Sequence, residues 1–210
     1  MKIEYLGHSA FLLTAADGTR IVTDPYAGVG YPMPRAAADY AVCSHLHGDH
    51  ANVRGVAGVK GVVTEAGEYT LGGFRVTGFP AWHDDVQGAK RGSVTVFFYE
   101  ADGARVCHMG DIGQKPTPAL LAEIGQPDVL CIPVGGVYTV DAAGAAEYVR
   151  LIRPRIVLPM HYDLPGGTLG VAPLGAFLRE TGEENCLRMR ELVLPCPAAE
   201  GKTVLLEVKR

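Results

Sequence analysis

The stretch Ser44-His45-Leu46-His47-Gly48-Asp49-His50 decides how the rest of the chain is read. The protein has seven histidines in 210 residues, and three of them fall between positions 45 and 50. In an extended segment, side chains two apart share a side, so His45 and His47 can offer imidazoles to one ion. Gly48 lets the backbone bend without a Cβ clash, and Asp49 and His50 can then address a second ion nearby. Imidazole and carboxylate at this density suit zinc, manganese or iron better than calcium or magnesium. The plain alternative is a polar surface loop, but neighbouring imidazoles without an ion are an unusual arrangement.

Four side chains cannot complete two ions, so other segments must contribute. The candidates are His83 in Ala81-Trp82-His83-Asp84, Asp111 in His108-Met109-Gly110-Asp111 and His161 in Pro159-Met160-His161-Tyr162. Each follows a strand-like run, where loops commonly carry site residues. Asp84 and Asp85 compete with His83 for its role. Ser44 reads as a residue that satisfies local backbone groups rather than as a nucleophile.

Around these motifs the first half of the chain reads as strands: 2–6, 10–14, 20–23, 40–43, 61–64, 69–71, 74–79, 93–99 and 105–108. Asp17-Gly18 and Ala101-Asp102-Gly103 mark hairpin turns, and the Gly-, Pro- and Tyr-rich stretch 26–35 an irregular loop. Helices are expected at 118–124 with Gly125 as the stop, from a cap at Asp141 to about Ile152, and at 172–181. Strands at 129–132, 156–158 and 203–208 alternate with them. Strands first and alternating elements afterwards suggest layered sheets with helices outside, in one domain spanning 1–210.

The composition narrows the function. A formal charge of −4 gives no broad cationic footprint for nucleic acid. Five cysteines without a Cys-x-x-Cys pair read as buried thiols of a reducing compartment. With no signal core and no apolar run of membrane-spanning length, a soluble cytoplasmic protein is expected. Oligomeric state has no signature in the sequence.

The order of motifs resembles the metallo-β-lactamase-fold hydrolases, and within them the branch containing L-ascorbate-6-phosphate lactonase and N-acyl-phosphatidylethanolamine-hydrolysing phospholipase D. It runs from Gly7-His8-Ser9-Ala10-Phe11 and Thr23-Asp24-Pro25 through the histidine run. His83-Asp84-Asp85, Arg91-Gly92, Gly110-Asp111, Ile132-Pro133-Val134-Gly135-Gly136 and Pro159-Met160-His161-Tyr162 continue it. The resemblance implies an α/β fold, a four-layer αββα sandwich with metals in a groove between two sheets. It also implies that His45, His47 and His83 hold one ion, that Asp49, His50 and His161 hold the other, and that Asp111 bridges them. Asp24 resembles the carboxylate that orients a ligand histidine. His8 reads as a structural histidine, His108 as a core residue or a support behind the ligands, and Tyr138, Lys90 and Arg91 as exposed residues that could touch substrate.

The function so implied is metal-dependent hydrolysis by a hydroxide bridging two divalent ions, zinc or else manganese, with Asp49 aiming it. The substrate would be a small ester, lactone, amide or phosphodiester. Alternatives on the same fold are a nuclease, a metal-binding non-enzymatic module, and a di-iron reductase. The last typically has Glu where this chain has His47.

Overall fold

The computed structural model describes residues 1–183 and 186–209. Its first sheet is built from β1 (Lys2–Gly7), β2 (Ala10–Thr14), β3 (Arg20–Thr23), β5 (Tyr40–Val42), β7 (Gly61–Val63) and β15 (Glu191–Val193), in the order β15-β1-β2-β3-β5-β7. The second contains β8 (Gly67–Leu71), β9 (Phe74–Trp82), β10 (Ser93–Ala101), β11 (Ala104–His108), β12 (Val129–Pro133), β13 (Ile156–Met160), β14 (Leu187–Met189) and β16 (Lys202–Leu206). Its order is β14-β16-β13-β12-β11-β10-β9-β8. β4 (Ala36–Ala37) and β6 (Val56–Ala57) pair separately.

The second sheet is antiparallel from β8 to β11, where hairpins connect its strands, and parallel from β11 onward. Asp102 and Gly103 form the two-residue turn between β10 and β11, both with positive φ (55° and 74°), the conformation that an Asp-Gly hairpin favours. In the parallel half, helices make the crossovers. α1 (Pro118–Ile124) starts at Thr117, whose side chain accepts from the Leu120 N–H, and ends at Gly125 with φ 58°. α2 (Ala142–Ile152) starts at Asp141, which accepts from the Gly144 N–H. α3 (Gly175–Thr181) begins later than position 172, because Pro173 and Leu174 form its entry rather than its first turn.

The helices lie on one face of the second sheet, as right-handed crossovers between neighbouring parallel strands require. Leu120, Ile124, Tyr148, Ile152 and Phe177 join Leu130, Ile132 and Leu158 in the main core, which also takes in Ile3, Tyr5, Phe11 and Leu13 of the first sheet. The other face of the first sheet, Leu6, Leu12 and Val22, packs on Tyr26, Val29 and Val56 of the irregular stretch between β3 and β7. A short 3-10 turn, Val53–Gly55, stands in this outer layer. Sheet-on-sheet packing with coverings on both outer faces is the sandwich expected. No helix is long and apolar enough to cross a membrane among the described residues.

Strand direction places the site. β1, β3 and β5 run parallel within the first sheet, as do β9, β11 and β13 within the second. Their C-terminal ends lead directly to His8, Asp24, the 44–50 run, His83, Asp111 and His161. Six strand ends, three from each sheet, deliver one cluster.

Candidate metal centre

The seven candidate ligands come together in two groups around Asp111. His45, His47 and His83 each offer a ring nitrogen, all within 4.8 Å of one another. Asp49, His50 and His161 form a second set with the same spread, and His8 is its fourth member. Asp111 lies between, with Oδ2 3.1 Å from His50 Nε2, 3.2 Å from His161 Nε2 and 3.6 Å from His83 Nε2. The cluster is buried except on one side, where His47 is exposed and Asp49 half-buried.

Asp24 controls the edge of the cluster nearest the first sheet. Its carboxylate accepts the Ser44 N–H at 2.6 Å, the Ser44 hydroxyl at 2.6 Å and the His50 Nδ1–H at 3.0 Å. Since Ser44 Oγ donates to Asp24, it accepts from His45 Nδ1 at 3.0 Å. Both His45 and His50 thus hold a proton on Nδ1, which leaves Nε2 to face the centre. Ser44 is therefore more than a local backbone partner: it extends the reach of Asp24 to a second imidazole. Its place directly before His45 was the only signal for this in the sequence.

This arrangement fits cations. His45 Nε2, Asp111 Oδ1 and His161 Nε2 are buried without a hydrogen-bond partner. His50 Nε2 and Asp111 Oδ2 stand 3.1 Å apart, so positive charge is required between them, either a second proton on the imidazole or a cation that replaces it. Burial works against an imidazolium at His50, yet the charges and hydrogen bonds of Asp111 and Asp24 hold its pKa well above the usual range. Burial also opposes ionisation of Asp111, but His161 and His50 keep its carboxyl well below. Burial pushes His45 down to about 3 and His8 to about 4, leaving them neutral and able to ligate at pH 7.

Backbone strain marks the same places. His8 (φ 52°), Asp24 (φ 37°) and His161 (φ 52°) occupy the left-handed region, costly for residues with a Cβ. The carbonyl of His8 accepts the Tyr5 hydroxyl and the His161 N–H, both at 2.9 Å, which pins the two strained turns together. Gly110 (φ 52°) makes the turn before Asp111, and a Cβ there would stand 2.6 Å from that of Ser44.

Of His83, Asp84 and Asp85, only His83 stands with the cluster. The Asp84 carboxylate turns away from the centre and accepts four backbone N–H groups, those of Val86, Gly88, Lys90 and Arg91, at 2.8–2.9 Å. These amides hold its pKa down at about 2, against the opposing effect of desolvation. Asp85 is exposed and pairs with Lys90. His108 is structural, as expected: Nε2 donates to the Ser9 carbonyl at 2.9 Å and Nδ1 accepts the Gly110 N–H. His8 behaves differently from that expectation, since its ring points into the cluster, Nε2 3.1 Å from His50 Nε2.

A cleft of about 580 Å³ opens onto the cluster, with His47, Asp49, His83 and Asp111 on its floor. Lys90, Arg91 and Tyr138 stand on its wall, the Arg91 guanidinium 5.4 Å from the Tyr138 ring centre and donating to the Val137 carbonyl at 3.1 Å. A smaller cavity of about 170 Å³, beside Asp102, Arg155 and Pro195, lies at the opposite strand ends, away from the candidate ligands.

Comparison with known proteins agrees with this fold. Residues 2–161 match the family model for the beta-lactamase superfamily domain. A UPF0173 metal-dependent hydrolase of Carboxydothermus hydrogenoformans is 32% identical over 78% of this chain and 85% of its own. A crystal structure from Thermotoga maritima, described as a proposed Zn-dependent hydrolase of the metallo-beta-lactamase superfamily, superposes with a TM-score of 0.78 at 34% identity, covering 99% of each chain. A metallo hydrolase of Ignicoccus hospitalis matches at 26% identity and a TM-score of 0.65, over 88% of this chain and 91% of that one. The chain belongs to the metallo-β-lactamase superfamily, among its UPF0173 metal-dependent hydrolases.

Proposed function

We propose that this enzyme hydrolyses a small ester, lactone, amide or phosphodiester at a centre of two divalent ions, zinc or else manganese. The observation that carries the reading is Asp111, whose one oxygen lies 3.1–3.6 Å from imidazoles of both ligand groups. His45, His47 and His83 would hold one ion, Asp49, His50 and His161 the other, and Asp111 would serve both. When bound, such a pair lowers the pKa of a shared water toward about 7 and polarises a carbonyl or phosphoryl oxygen as charge develops on it.

The chain's own groups do the rest. Asp49 stands on the open side, 28% of its side chain exposed, where it can accept a hydrogen bond from the attacking water and aim it. Asp24, with Ser44, keeps the Nδ1 protons of His45 and His50 in place, so that neither ring can turn its lone pair away. Lys90, Arg91 and Tyr138 bound the space for the part of the substrate that does not react. The cleft volume suits a small molecule. A net charge of −4 fits that class better than nucleic acid. The five free cysteines suit the reducing cytoplasm.

The test is turnover of a panel containing a lactone, an aryl ester and bis-p-nitrophenyl phosphate by zinc- and manganese-loaded protein. Activity on at least one, abolished by chelation and restored by metal, is expected. Fully loaded protein inert toward every hydrolysable bond in a broadened panel would defeat the enzymatic reading.

A further inference from the structure

We infer that His8 is an eighth ligand, on the ion position formed by Asp49, His50 and His161, and that the two positions therefore differ in coordination number. The inference rests on the metal centre proposed above and extends it.

The contrast between two buried histidines carries the case. Both ring nitrogens of His108 are engaged by backbone groups, those of Ser9 and Gly110, as a histidine that only supports the fold requires. The Nε2 of His8 instead has candidate ligands as its neighbours: His50 Nε2 at 3.1 Å and Asp49 Oδ2 at 3.5 Å. Its ring centre is 4.7 Å from that of His50 and 4.4 Å from that of His161. The 3.5 Å separation is long for a hydrogen bond to Asp49. Donation to His50 Nε2 would occupy the lone pair that Asp24 has turned toward the centre.

Spacing points the same way. Donors sharing one ion at bonds of about 2.0–2.1 Å stand about 3.3 Å apart in a tetrahedral set. The separations among His8, Asp49, His50, His161 and Asp111 that bear on this position run 3.1, 3.1, 3.2, 3.5 and 3.7 Å. The chain also holds His8 in place at a cost, in a left-handed turn clamped to the His161 backbone, where glycine would sit without strain.

With Asp111 shared, one position then has four protein donors (His45, His47, His83, Asp111) and the other five (His8, Asp49, His50, His161, Asp111). Four donors with imidazole in the majority would leave room for the shared water in a five-coordinate zinc site. Five donors and the same water make six, which would favour an ion at ease with six ligands, such as manganese or ferrous iron. A mixed pair of metals is the expected product of loading from a mixture.

Elemental analysis and manganese paramagnetic resonance on wild type, His8→Ala and His8→Asn test this. Asparagine tolerates the left-handed turn, so it separates ligation from folding. Expected are two ions in the wild type and, in both variants, retention of one with loss of manganese affinity exceeding the ~10–100-fold typical of losing only a ligand's hydrogen-bond partner. Two ions bound with unchanged affinity and an unchanged manganese spectrum in folded His8→Asn would overturn the role of His8 and leave the hydrolase reading standing. Wild-type protein that takes up no ion would overturn both.

Discussion

The carboxylate of Asp24 holds the Nδ1–H of His50 at 3.0 Å, and through the Ser44 hydroxyl it also fixes the Nδ1–H of His45. One buried acid thus sets the tautomer of an imidazole in each ligand group.

Asp24→Asn keeps the shape but replaces an acceptor oxygen with an amide that faces donors. Metal affinity should fall by about 10–100-fold at both positions, because both imidazoles lose their orienting partner. Calorimetric titration of chelator-treated protein measures this. Unchanged affinity at the two positions would show that the Nδ1 bonds do not matter.

Asp111 is the group common to both positions, so Asp111→Ala should empty at least one of them and lower turnover by orders of magnitude. His47→Ala, at the exposed edge, should do the same for the position it shares with His45 and His83. A double variant that purifies with full metal occupancy would refute the ligand assignment directly.

Asp84 holds the cleft wall rather than the candidate ligands. Its four amide bonds fix the 84–92 segment that carries Lys90 and Arg91. Asp84→Ala should speed hydrogen exchange at Val86, Gly88, Lys90 and Arg91 and raise KM, with metal content held. Loss of metal instead would place Asp84 in the ligand set.

Metal-free protein should weaken on acidification. Burial depresses His8 to about 4 and His45 to about 3, against 6.5 in the unfolded chain. Between pH 6.5 and 4 the unfolded chain takes up protons at these positions that the folded chain refuses. Stability then falls with falling pH, by up to about 1.4 kcal/mol per unit for each histidine. His50, raised by Asp111 and Asp24, acts oppositely: its contribution is complete below pH 6.5 and is lost as pH rises through its folded value. Urea midpoints in chelator measure the slope, and His8→Asn should flatten it. A midpoint constant from pH 6.5 to 4.5 would contradict the burial argument.

Much was legible before any coordinates. The 45–50 run marked its own candidate ligands because two-residue spacing in an extended segment is a local property. Thr117 with Gly125, and Asp141, marked α1 and α2 because caps are read from single residues. β14 and β15 were not anticipated: three residues each, they owe their form to pairing with β16 and β1, distant in sequence. α3 starts three residues after the position that its apolar spacing suggests, because that spacing continues through Pro173 and Leu174.

The sequence by itself determined which residue types were available to hold metal and roughly which strands would present them, since motif chemistry and strand propensity are written along the chain. Only the tertiary structure decided direction. That His83 turns to the centre, that Ser44 relays Asp24 to His45, and that the His8 ring faces the cluster instead of the core all depend on how two sheets meet. The Asp24–Ser44 and His8–His50 contacts join residues 20 and 42 positions apart, so no local pattern encodes them.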